Sequence, residues 1–320
     1  MTQHFKDRPN RATGVEVGGV FVALLTPFDP AGAVDVDGVT ALVDRVIDAG
    51  VDGVVALGTT GEFADLTDEE RDVLVRATVA AVRGRVPVVV GIGALGTTQA
   101  CNYAQRAERA GADVVLTLPP LFWKLDDVGL FDHFAAVAAA TVLPVLLYDI
   151  PIFAGVSLSP RLVRRVAEEL PSVIGIKLTV QDFKSVLDVL TAVKPVRPKF
   201  SVTVGFEDLA LSAVLAGGDG VISGMANFLA PTLLELVAAA RRGDLESAGV
   251  AYHEVMQLFP VYFQANPPVL ALKHLSAAHG VPIATVVRSS HQADPASGRA
   301  VRDWLGTVTP VEAGNQTRQQ

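Results

Sequence analysis

Cysteine is almost absent: Cys101 stands alone in 320 residues. One thiol makes neither an internal disulfide nor a C-x-x-C metal pair, and it fits a reducing compartment, here expected to be the cytoplasm. Charge is sparse as well. Asp, Glu, Lys and Arg make up 19% of the chain against 50% hydrophobic residues, a balance that supports a large core and excludes wholesale disorder. The net charge is -8. The clustered Lys and Arg that neutralise phosphates are therefore missing, and no nucleic-acid partner is expected. Apolar runs stay far short of the roughly 18 residues needed to cross a bilayer, so no membrane partner is expected either. The opening MTQHFKDRPNRATG has no apolar h-region of a signal peptide. The six histidines (4, 133, 253, 274, 279 and 291) show no metal-ligand spacing, and neither a G-x-S-x-G nor a P-loop occurs. No metal site is expected.

What recurs is a short apolar run rich in Val, Ile and Leu. It appears as VFVALL from Val20, DGVVALG from Asp52, VPVVVGIG from Val86 and DVVLTLP from Asp113. It returns as LPVLLYDIP from Leu143, VIGIKLT from Val173, FSVTVG from Phe200 and DGVISG from Asp219. Runs apolar on both faces suit parallel strands covered on both sides. Helical patterns separate them, several closed by Gly or Pro. Eight strand–helix units predict an α/β protein, a closed (β/α)8 TIM barrel, with an open doubly wound sheet as the alternative. From about Pro231 only helical patterns remain. The expected organisation is a flexible arm over 1–17, the barrel over 18–242, an appended helical segment packed on it over 243–306, and a tail over 307–320.

Several polar residues interrupt the apolar runs. Lys177, one of seven lysines, lies near the end of the sixth strand. Lysine is seldom buried unpaired, and an amine removed from water is favoured in its neutral, nucleophilic form. A strand-end lysine whose head reaches the surface is the plain alternative. Lys273 sits on a helical pattern and is expected to be solvated or at an interface. Tyr148 ends the fifth strand, where a phenol can relay protons or simply pack. Asp149, next in line, is expected on the opposite face. Gly58-Thr59-Thr60-Gly61-Glu62 ends the second strand, and its backbone N–H groups and hydroxyls suit a small carboxylate. Gly91-Ile92-Gly93-Ala94-Leu95-Gly96 has the G-x-G-x-x-G form of a dinucleotide loop, but the next strand ends Thr117-Leu118-Pro119-Pro120, without the acid that would hold a ribose. Thr59, Thr60, Tyr148 and Lys177 all fall at the C-terminal mouth of a barrel, where active sites of this fold lie.

GTTGE at Gly58 to Glu62, Y-x-x-P at Tyr148 to Pro151 and GIK at Gly175 to Lys177 together resemble the dihydrodipicolinate synthase/N-acetylneuraminate lyase family, class I pyruvate-dependent aldolases. LLTPFD from Leu24, GGDGVIS from Gly217 and NPPVLALKHL in the helical tail extend the likeness over roughly 18–305. The resemblance implies that Lys177 forms an imine with pyruvate or another 2-oxo acid, and that Tyr148 is the acid/base relay. It implies that Thr59 bonds to Tyr148, and that Thr60 with nearby backbone, Gly58 included, holds the substrate carboxylate. Gly205 and Ile222 would line the pocket. It further implies a homotetramer, a dimer of dimers, and no cofactor beyond the covalent imine.

Three positions depart from the lysine-pathway synthase. Phe153 stands where that enzyme carries an Arg for its aldehyde's carboxylate, and a phenyl ring cannot replace a bidentate guanidinium. Pro120-Leu121-Phe122 stands where the synthase has P-Y-Y, whose Tyr reaches in from a neighbouring subunit. Leu178 follows the lysine in place of Glu. Phe122, Trp123 and Phe153 suggest a partly apolar second-substrate pocket. The expected activity is cleavage of a 4-hydroxy-2-oxo acid, a 2-keto-3-deoxy sugar acid, to pyruvate and an aldehyde. The alternatives are 4-hydroxy-tetrahydrodipicolinate synthase, a dehydratase or hydratase-aldolase on the same imine, a non-catalytic barrel that binds a small carboxylate, and a nucleotide-dependent oxidoreductase.

Overall fold

The computed structural model describes residues 14–288 together with Arg299, Asp303 and Trp304. Eight parallel strands close into one barrel in chain order. They are β1 (Gly19–Ala23), β2 (Gly53–Ala56), β3 (Val88–Gly91), β4 (Val114–Thr117), β5 (Val145–Asp149), β6 (Val173–Leu178), β7 (Ser201–Val204) and β8 (Gly220–Ser223). The helices around them are α1 (Val36–Asp48), α2 (Asp68–Val82), α3 (Thr97–Ala110), α4 (Asp127–Ala139), the short α5 (Pro151–Ala154), α6 (Pro160–Glu169), α7 (Phe183–Val193), α8 (Ala210–Leu215) and α9 (Ala226–Arg242). Two further helices, α10 (Leu245–Leu258) and α11 (Pro268–Ala278), follow the barrel, and α10 packs on α9. Every strand begins within two residues of its apolar run, and most helices start where the sequence offers a cap. N-caps account for much of this: Asp35, Asp126, Ser159, Asp182 and Asp244 each accept a backbone N–H, and Thr67 with Glu70 forms a capping box at α2. The expected arm over 1–17 lies largely, and the expected tail over 307–320 wholly, outside the described residues, as does most of the expected helical segment beyond 288.

Both faces of the sheet are apolar because both are covered. Phe21, Val55, Val89, Leu116, Leu146 and Ile222 fill the barrel, with Val17 plugging its base. Val22, Val54, Val90, Leu147, Ile176 and Val204 pack outward against helices. Three aspartates at strand starts tie neighbours together. Asp52, Asp113 and Asp219 accept the N–H of Val20, Val88 and Val202 at 2.7, 2.9 and 2.7 Å. These are the aspartates of the repeated helix–Gly–strand junctions.

One irregularity decides where chemistry can occur. Val145 pairs with Val173, but Leu146 pairs with Gly175, so Ile174 is an extra residue, a bulge in β6. Alternation from the outward Val173 would put residue 177 among the helices. The bulge resets the phase: Ile176 and Leu178 face outward, and Lys177 turns into the barrel.

Candidate active site

Lys177 and Tyr148 are register partners on β6 and β5. Lys177 is 4% exposed, and its Nζ stands 4.4 Å from the centroid of the Tyr148 ring. The Tyr148 hydroxyl lies between two threonines, 3.4 Å from Thr59 Oγ1 and 3.4 Å from Thr179 Oγ1. Thr59 belongs to the turn after β2 and Thr179 follows β6, so three elements converge on one phenol.

The Gly58–Glu62 segment is a single 3-10 turn over Thr59–Gly61. The N–H groups of Gly61 and Glu62 close it on the carbonyls of Gly58 and Thr59, at 3.0 and 3.1 Å. Those of Thr59 and Thr60 are not spent on these bonds, and the Thr59 hydroxyl meets Tyr148. The turn is fastened from below by Thr26, whose hydroxyl donates to the Gly61 carbonyl at 2.6 Å. Leu57 and Glu62, one on each side, both adopt the left-handed region, at φ 56° and 54°. Such conformations persist in non-glycine residues only where the surroundings impose them.

Gly205, beyond β7, is required by proximity. A Cβ there would overlap Thr179 Oγ1 and lie 2.9 Å from Lys177 Cε. Gly205→Ala is therefore expected to push the lysine aside and lower kcat/KM by about 10²-fold with the fold retained. Steady-state kinetics beside a circular dichroism spectrum check this, and unchanged kinetics would show that the lysine has room to spare. Ile222 is wholly buried inside the barrel on β8.

A second polar group at this mouth escaped the sequence reading. Glu207, fully buried, accepts from the Ser223 hydroxyl, from Met225 N at 3.2 Å and from the Tyr262 hydroxyl at 2.9 Å. Burial pushes its carboxyl up and these donors oppose the shift. Burial, and then Glu207, push the Tyr262 phenol well above its ordinary range. A Cβ at Gly224 would stand 2.8 Å from the Tyr262 hydroxyl and 3.2 Å from Thr60 Oγ1, so Tyr262 borders the threonine turn. Only the period-2 spacing from Lys177 to Thr179 could have revealed the third hydroxyl. Nothing in FPVYF announced Tyr262.

Other expected residues are placed differently. Phe122 and Phe153 stand at the rim, 68% and 58% exposed, and Phe122 packs edge-on against Trp123 rather than against the lysine. Lys273 corrects its expectation. It is fully buried, paired with Glu62 at 2.7 Å, because α11 is covered by the loops after β1 and β2 and by the segment 281–288. The glycines of the G-x-G-x-x-G run have packing reasons. A Cβ on Gly91 would strike the Leu57 carbonyl, and one on Gly93 would meet Leu118 and Phe63. Asp149 faces outward, taking the backbone N–H of Leu158. Among the described residues no cluster of His, Cys, Asp and Glu could hold a metal ion, and no helix is long and apolar enough to cross a membrane.

Comparison with known proteins adds relatives to this geometry. A profile of the Dihydrodipicolinate synthetase family matches residues 16–293. YagE of Escherichia coli, provisionally named a 2-dehydro-3-deoxy-D-gluconate aldolase, is 35% identical over 84% of this chain and 89% of its own. YjhH of the same organism, provisionally named a 2-dehydro-3-deoxy-D-pentonate aldolase, is 34% identical over 83% and 89%. The 4-hydroxy-tetrahydrodipicolinate synthase of Protochlamydia amoebophila is 34% identical over 81% and 86%. Among solved structures, that of YagE in complex with pyruvate superposes with a TM-score of 0.88 at 32% identity, covering 92% of this chain and 99% of that one.

Proposed function

The chain belongs to the dihydrodipicolinate synthetase family, and from that premise we propose that it is a class I aldolase releasing pyruvate from a 2-keto-3-deoxy sugar acid. The observation that carries the reading is the buried Lys177 amine against the Tyr148 ring, with the threonine turn alongside. The amine attacks the C2 carbonyl of the substrate, water leaves, and a protonated imine forms. Loss of the C4 hydroxyl proton breaks the C3–C4 bond. The electron pair moves into the imine and leaves an enamine, and the aldehyde departs. Protonation of the enamine and hydrolysis then return pyruvate and the free amine. Tyr148, between Thr59 and Thr179, is the group that passes protons to and from the carbinolamine and the C4 oxygen. Thr60, Gly58 and the turn N–H groups hold the carboxylate, and Gly205 and Ile222 shape the pocket. The sequence of steps needs no metal or organic cofactor.

The sugar-acid assignment rests on YagE and YjhH and on the residues at the rim. Neither Phe153 nor Phe122 can bond a second carboxylate, as condensation with aspartate semialdehyde would demand. The exposed Leu95, Phe122, Trp123, Ile152 and Phe153 lie in the three successive segments that follow β3, β4 and β5, the last two of them on α5. They suit burial between subunits, which supports a homotetramer; the single cysteine supports the cytoplasm as its place. Pyruvate release from 2-keto-3-deoxygluconate and its pentonate analogue is expected to exceed semialdehyde condensation by about 10²-fold or more in kcat/KM. The reverse order would make the chain a 4-hydroxy-tetrahydrodipicolinate synthase, a reading its identity to such enzymes keeps open. Ligand-induced melting shifts without any turnover would make it a binding protein.

A further inference from the structure

The threonine turn is held in place by an ion pair that never reaches the reacting atoms. Glu62 closes the turn in the left-handed conformation, and its side chain is 1% exposed. Its two carboxylate oxygens are engaged separately. Oε1 meets Lys273 Nζ at 2.7 Å, and Oε2 accepts the backbone N–H of Arg288 at 2.8 Å. Both partners come from beyond the barrel, from α11 and the segment after it. Lys273 Nζ also donates to the Val286 carbonyl at 2.5 Å and lies 4.3 Å from the centroid of Phe28. The Arg288 guanidinium lies 4.7 Å from the same ring. It takes both oxygens of Glu70, each at 2.7 Å, and the Gly32 carbonyl. The strap 281–288 is thereby fastened to the loops after β1 and β2 and to the first turn of α2.

Stability alone does not account for this arrangement. Two buried charges give up their hydration, and apolar residues of similar volume would stabilise the packing as well or better. What an apolar pair could not do is grip a left-handed residue from two directions at the end of a turn whose hydroxyls must meet the substrate. We propose that Glu62 is a positioning residue for the carboxylate-binding turn, and that Lys273 and the Arg288 backbone hold it there, so that the helical segment after the barrel sets the grip on the 2-oxo acid. The inference rests on the Schiff-base reading and adds to it a residue pair whose effect is confined to binding.

The test is the pyruvate dependence of borohydride trapping in the full-length protein. The double variant Glu62→Gln/Lys273→Met leaves no buried charge unpaired and is the one expected to fold. Its half-saturating pyruvate concentration is expected to rise by about tenfold or more, with the trapping rate at saturation within about threefold of wild type. A lowered melting temperature with an unchanged half-saturation would make the pair purely structural and overturn the proposal. A fall confined to the saturating rate would overturn it too. If the wild-type protein traps no pyruvate at any concentration, the Schiff-base reading itself fails and takes this inference with it.

Discussion

Lys177→Ala is expected to give no reducible adduct with pyruvate at any concentration and to lose about 10⁴-fold or more in aldol turnover. The chain has seven lysines, and two of those described are buried, so the experiment has an internal control. Lys273 is as buried as Lys177; burial lowers the pKa of its ammonium, and the facing Glu62 carboxylate opposes that shift. Lys177 stands instead against the Tyr148 ring, whose hydroxyl lies between Thr59 and Thr179. Tyr148→Phe separates the covalent step from the proton transfers. It keeps the ring against the amine and removes only the hydroxyl between Thr59 and Thr179. Trapping should still reach the same extent in that variant, though more slowly, while turnover falls by about 10²–10⁴-fold. Mass spectrometry of the reduced protein and a coupled pyruvate assay read the two effects. An adduct that persists in Lys177→Ala would move the chemistry to another amine and refute the site.

The barrel was legible because its strands are covered on both faces. Such strands read as unbroken apolar runs, and the helices between them end on glycine or proline. The same background exposed Lys177 and Tyr148, since a polar residue in an apolar strand has few reasons to be there. The phase of β6 was not legible. Alternation counted from Val173 aims Lys177 at the helices, and only the bulge at Ile174, set by pairing with β5, turns it inward. Glu207 and Tyr262 were hidden for a different reason. They lie 55 residues apart, on an irregular turn and in an aromatic-rich stretch, and neither has a local pattern. Lys273 was misjudged because helical periodicity reports which residues share a face but not what covers that face. Its partner Glu62 sits more than two hundred residues earlier, in a motif whose threonines draw the attention. Fold follows from periodicity, whereas the supporting shell of the site follows from contacts between distant segments.

Asp149 is expected to make the protein less stable as the solution passes from acid to neutral pH. Its carboxyl faces outward from β5 into the layer under the helices and is 3% exposed. Burial pushes its pKa up from 3.8 to about 7, opposed only by a hydrogen bond from the Leu158 backbone N–H, and its Oδ1 has no hydrogen-bond partner. A carboxyl raised on folding is held more tightly by the folded chain than by the unfolded one. Between the two values the folded state carries the extra proton, so stability falls as pH rises through that window and levels off above about 7. Roughly three pKa units at about 1.4 kcal/mol each give a loss of about 4 kcal/mol from pH 4 to pH 8. Asp149→Asn keeps an acceptor for the Leu158 N–H and cannot ionise. Against wild type it should gain most of that stability at pH 8 and little at pH 4. Denaturant midpoints of the two proteins at several pH values measure the difference. A gap between them that does not change with pH would mean that the carboxyl is already neutral, or already solvated, across the whole range. A gap that closes toward acid would show the chain carrying a buried, titrating carboxyl one residue from its candidate catalytic tyrosine, on the opposite face of the same strand.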